Sequence, residues 1–138
     1  MWWSAMLQRV DERFFRRVFT LEEANRTLPL VKRIVADILR VGRLVKAFDE
    51  EYGEMARVMP VVKPYIEELR SYAEELEAIG CFFQDWNFEM GLVDFPAKFE
   101  GRIVFLCWRS DEPTIQYYHE IDAGYAGRKP IPERFSDS

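Results

Sequence analysis

The sequence predicts an α+β fold in which a long antiparallel helical hairpin packs against a small antiparallel β-hairpin or sheet. Three observations carry this. Apolar residues recur at threes and fours from Val31 to Met55 and again from Val62 to Ile79, the signature of two amphipathic helices. The stretch RVMPVVKP between them carries two prolines, which end one helix and start the next. Strand-type alternation is confined to the C-terminal part, in RIVFLCWR at 102–109 and TIQYYHEI at 114–121. Helices and strands are thus segregated along the chain, which favours α+β over an alternating α/β design.

The elements follow in order. Residues 1–14 have Trp3, Met6, Leu7, Val10 and Phe14 at helical spacing, and Trp2 and Trp3 must pack on the domain or be covered by a partner. Thr20, Leu21, Glu22 and Glu23 form a capping box that starts a helix. Pro29 is incompatible with a helix interior, so the expectation is a short helix over 21–27, a bend, and a longer helix capped by Thr27 and opened by Pro29. The apolar stripe of this helix is wide for a single partner helix and predicts self-association through helix faces. Basic residues on the first helix face acidic ones on the second, which sets Arg40 near Glu77 and Arg43 near Glu74. CFFQDWNF, from Cys81, reads as a first short strand or an irregular apolar segment. SDEP, at 110–113, is the turn between the two strands. The expected organisation is an N-terminal appendage over 1–18, one α+β domain over 19–131, and a tail over 132–138.

Composition narrows the function classes. The balance of 19 basic to 24 acidic residues, a net charge of -5, argues against binding to nucleic acid or to an anionic membrane. The apolar runs are too short for a membrane span and the N-terminus lacks signal-peptide features, so a cytoplasmic protein is expected. Cys81 and Cys107 stand far apart without a C-x-x-C spacing, as in a reducing compartment.

Ionisable residues concentrate from Gly91 to Pro130, where apolar alternation does not call for them. Asp94, Arg109, Glu112, His119, Glu120, Asp122 and Arg128 are the candidate residues of a ligand site or of a buried polar network. With residues 110–113 as an even turn, Val104 pairs with His119, Leu106 with Tyr117 and Arg109 with Thr114. His119 then points to the core face with Val104, Leu106 and Trp108, and Cys107 lies on the other face. A three- or five-residue loop would exchange the faces. On this register Cys107 is no partner for His119 in nucleophilic catalysis. His119 and Glu120 point to opposite faces and cannot share an ion, so no metal is expected. The loop AGYAGRKP lacks the spacings of nucleotide-binding motifs, and no cofactor is expected. Its Arg128 could clamp a small anionic ligand.

FTLEEAN with Leu28 and Pro29, GLVDFP at 91–96, GRIVFLCWR at 101–109, Glu112, and YHEIDAGYAGRKPI at 118–131 together resemble an uncharacterised bacterial family, domain of unknown function 2203. The resemblance covers Phe19 to Ile131. It matches the family's pattern at Asp94, Trp108, Glu112, His119, Gly124, Gly127 and Arg128, with Tyr118 where tryptophan is commoner. It implies a place for a site and no activity. The expected function is a non-catalytic ligand-binding or protein-interaction module with a polar cluster on the β-hairpin. The alternative is a small enzyme with His119 as general acid or base, Asp94 orienting it, and Arg109 or Arg128 holding an anion.

Overall fold

The computed structural model describes residues 1–7 and 17–137. Helix α1 spans Trp2–Leu7, and the remainder of the helix expected to residue 14 lies outside the described residues. Helix α2 spans Leu21–Tyr52, a 3-10 segment follows over Gly53–Val58, and α3 spans Lys63–Ile79. Five strands follow: β1 Phe82–Phe83, β2 Leu92–Phe99, β3 Arg102–Arg109, β4 Tyr117–Glu120 and β5 Lys129–Pro130. They form one antiparallel sheet in sequential order. The architecture is the expected α+β one, a helical hairpin packed on a sheet. Among the described residues no helix is long and apolar enough to cross a membrane.

The capping box at the start of α2 is present in both directions, with Glu23 N donating to Thr20 Oγ1 at 3.1 Å and Thr20 N to Glu23 Oε1 at 2.8 Å. The bend expected at Pro29 is not: α2 is one continuous helix. Pro29 removes a single backbone donor, whereas Ala24, Leu28, Val31 and Ile34 are buried on both sides of it, and tertiary packing of an apolar face outweighs one lost bond. The width of the apolar stripe has an internal origin, because Val31, Val35, Ile38, Val41 and Val45 join one core with α3, α1 and one face of the sheet. Among the described residues the arginines expected to pair with α3 take other partners. Arg40 pairs with Asp37 at 3.4 Å, and Arg43 donates to the carbonyls of Phe88 and Glu89. Arg40 senses the charge of Glu68 of α3 instead, and apolar contact joins the two helices in one core.

Helix α1 packs into that core through Trp3 and Leu7. Trp3 and Leu7 are each 1% exposed, Trp3 stacks on Phe88 with its indole N–H on the Trp86 carbonyl, and Trp2 Nε1 donates to Asp49. At the other end Phe135 stacks on Phe99 at 4.7 Å. Gly42 allows Phe88 to lie directly on α2, since a β-carbon there would be 2.3 Å from the ring.

Strand β2, with Pro96 in it, was not expected from the sequence. Pro96 is tolerated because its carbonyl, and so its missing N–H, faces the sheet edge, where Phe19 N donates to Pro96 O at 2.7 Å. The β2–β3 turn at Glu100 and Gly101 has φ of 50° and 79°, the left-handed pair that suits two-residue hairpins. Since Pro96 pairs with Phe105 without ladder bonds, the parity of the strand makes Asp94 and Cys107 another non-bonded pair, in which Cα atoms and side chains come closest.

The register of β3 with β4 corrects the sequence expectation by one residue. Val104 pairs with Glu120, Phe105 with His119, Leu106 with Tyr118 and Cys107 with Tyr117. The connection runs over residues 110–116, an odd length, because Thr114 to Gln116 do not enter the ladder. Ile115 N instead donates to Asn25 Oδ1 of α2 at 2.9 Å, and Ile115 is buried. A one-residue shift turns every side chain of β4 to the opposite face. His119 therefore shares a face with Phe105 and Cys107, away from the helices, and Tyr118 takes the core position.

Candidate functional site on the outer sheet face

The outer face of the sheet carries its own buried cluster. Phe82, Leu92, Phe105 and Cys107 are buried but stand apart from the main core, and Asp94 and His119, at 4% and 2% exposure, lie among them. The cover is the segment after β4, which passes Ile121 and Gly124 to Tyr125. Between cover and sheet lies a cavity of about 150 Å³, lined by Gln84, Asp94, Cys107, His119, Gly124 and Tyr125 with apolar neighbours.

His119 Nε2 lies 3.0 Å from Asp94 Oδ1, and Nδ1 lies 2.7 Å from the Glu120 carbonyl. A carbonyl can only accept, so Nδ1 carries hydrogen. The contact to Asp94 needs a proton too, so that the pair holds one shared proton between imidazole and carboxylate. Burial opposes the charged ring, but the hydrogen bond and charge of Asp94, helped by the Glu120 carbonyl, outweigh it and raise the His119 pKa above 6.5. Cys107 faces the same place. Burial first, and then the charge of Asp94, push its thiol well above the ordinary cysteine range, so the group is a protonated thiol.

Glu112 and Arg128 form a second cluster. Arg128 Nη2 lies 2.6 Å from each carboxylate oxygen of Glu112, with the side chains 10% and 7% exposed. Glu112 Oε1 also accepts Arg109 N at 2.8 Å, while its carbonyl accepts Trp108 Nε1 at 2.9 Å. The guanidinium of Arg128 lies over the ring of Tyr117 at 4.1 Å and over that of Tyr125 at 5.1 Å. Arg109 donates to the Tyr125 hydroxyl at 2.6 Å and pairs with Asp111. Both arginines thus hold Tyr125 at the cavity rim. The two clusters meet at Cys107, whose carbonyl accepts Arg128 Nη2 at 3.4 Å.

A model of the family described as Uncharacterized conserved protein (DUF2203) matches residues 17–131. The chain belongs to this DUF2203 family. No curated protein and no solved structure matches it. The DUF2203 segment includes both clusters.

Of the seven candidate residues, the fold brings Asp94 to His119 and Glu112 to Arg128, with Arg109 beside the second pair. Glu120 turns to the other face, where Arg102 grips it through two bonds of 2.7 Å, and only its carbonyl serves His119. Asp122 is exposed and does not line the cavity. The expectation that Cys107 lies opposite His119 is overturned by the register. Gln84 and Tyr125 had no place in the sequence reading either. The alternation of Val93, Phe95, Ala97 and Phe99 before a Glu-Gly turn was the available signal for β2, and with it for the Asp94–Cys107 pair.

Proposed function

We propose that this DUF2203 chain is a non-catalytic ligand-binding module whose ligand sits in the outer-face cavity. The observation that carries this is the convergence of three chemically distinct buried groups, Asp94, Cys107 and His119, on one cavity outside the main core. Small-molecule sites are apolar hollows with a few convergent polar groups, and this hollow has that composition. The protonated thiol and the engagement of both His119 nitrogens argue against nucleophilic or general-base chemistry. An anion clamp by Arg128 or Arg109 has little support, since Glu112 and Asp111 occupy them. The carboxylate in the cavity favours a cationic or hydrogen-donating ligand. Self-association keeps a narrower basis, the exposed Leu30 and Leu44 of α2, and light scattering at high micromolar concentration tests it.

Amide chemical-shift mapping with small amines, amides and imidazoles, in the presence of chelator, tests the ligand seat. Saturable shifts at Leu92, Cys107, His119 and Gly124, lost when Cys107→Phe fills the cavity, are expected. Shifts confined to other surfaces, or none that saturate, would sink the proposal.

A further inference from the structure

The three groups that converge on the cavity are of the types that hold a borderline-soft metal ion: a carboxylate, a thiol and an imidazole. We propose that Asp94, Cys107 and His119 form a site for one zinc-class divalent cation, a reading that rests on the cavity being a ligand seat. The candidate donor atoms, a carboxylate oxygen, Sγ and a ring nitrogen, all lie within 4.8 Å of one another, and Asp94 Oδ1 and His119 Nε2 are already 3.0 Å apart. Tetrahedral zinc with bonds of about 2.0–2.3 Å sets its ligand atoms roughly 3.3–3.6 Å apart, so closure takes side-chain shifts of about 1 Å. The backbone is already in place. Asp94 and Cys107 are a close cross-strand pair, and His119 reaches over the same central strand from β4.

Further features fit a cation. Nδ1–H of His119 is held by the Glu120 carbonyl at 2.7 Å, the arrangement that fixes the tautomer of metal-ligating histidines and presents Nε2 to the ion. Carboxylate and thiolate together neutralise a dication, which is the condition for burying it. On binding, the thiol proton and the proton on the Nε2 side leave to solvent, and the metal–sulfur and metal–nitrogen bonds replace them. The donor set is three-membered, and the cavity beside Gln84 and Tyr125 leaves a fourth position for a ligand. Mixed nitrogen, oxygen and sulfur donors suit zinc, and its spectroscopic substitute cobalt, better than magnesium or calcium.

The probe is Co²⁺, titrated anaerobically into the full chain after reduction and dialysis against chelator. A thiolate-to-cobalt charge-transfer band that saturates at one equivalent, and that Zn²⁺ removes, is expected. Cys81→Ser, which alters the other buried thiol, should keep the band. Cys107→Ser should lose it while retaining the near-ultraviolet circular dichroism of the fold, and Asp94→Asn and His119→Gln should each weaken binding about tenfold or more. Absence of the band, its survival in Cys107→Ser, or its loss in Cys81→Ser overturns the proposal. Should Cys107→Ser not fold, X-ray absorption of the cobalt-loaded wild type replaces it: one sulfur in the coordination shell supports the site and none overturns it. Chelator is present in the shift-mapping experiment above, so organic ligand binding without cobalt binding ends the metal site alone, and cobalt binding without ligand shifts ends the organic-ligand seat alone.

Discussion

Replacing Glu112 by Gln should be among the most destabilising single changes on the outer face. The carboxylate takes two bonds of 2.6 Å from Arg128 and one of 2.8 Å from the Arg109 amide, and its side chain is 7% exposed. Removing one partner of a buried ion pair costs about 3–5 kcal/mol, because the other charge is left uncompensated. Glutamine keeps one oxygen acceptor for the Arg109 amide or for Arg128, and the guanidinium still lies over the two tyrosine rings, which brings the expectation to about 2–4 kcal/mol. For a chain of this length, about 3 kcal/mol corresponds to a melting temperature roughly 10 °C lower. Arg128→Met strands the carboxylate instead and, because the Arg109 amide still donates to it, should cost about 2–3 kcal/mol. The double variant should cost no more than the worse single one, a coupling of about 2 kcal/mol, since neither charge is then left alone. Urea unfolding of the four proteins measures the cycle. Additivity within about 0.5 kcal/mol would refute the reasoning, because it would mean that the two groups do not sense each other in the folded chain.

Other consequences follow from the same contacts. Gly42→Ala should lose about 1–3 kcal/mol in chemical denaturation, since the methyl meets the Phe88 ring at 2.3 Å and that ring is itself buried; an unchanged midpoint would contradict the packing. Trp3→Ala should cost about 3–5 kcal/mol with no change of mass in light scattering, as expected of a core residue; a change of oligomeric state with melting preserved would make the N-terminal segment an interface instead. In chelator, stability should fall as pH rises above 6.5. The His119 pKa is raised on folding, so its contribution is complete below the unfolded value and is lost as pH passes the folded one. His119→Gln should flatten that part of the profile; an unchanged slope in the variant would assign it to another group.

The helices and their ends were legible in the sequence because their determinants are local. A 3.6-residue apolar period, a Thr-x-x-Glu capping box and a left-handed Gly80 act within a few residues of one another, and each appears as read. Pro29 was legible as a residue that disfavours a helix. That its helix continues was decided by burial on both sides, a sum over residues distant in sequence. The candidate site divides in the same way. Asp94, Glu112, His119 and Arg128 stood out because charge in an apolar stretch calls for a partner, and two pairs among them formed. Which face His119 takes depended on whether residues 114–116 pair with β3 or leave it. They leave it, and the Ile115 amide goes to Asn25, 90 residues earlier. A strand has a period of two, so that this one-residue shift of register reverses the face and sets His119 beside Cys107 instead of in the core. Local sequence thus determined which groups needed partners, and the strand register, a property of the whole packed chain, decided which partners they met.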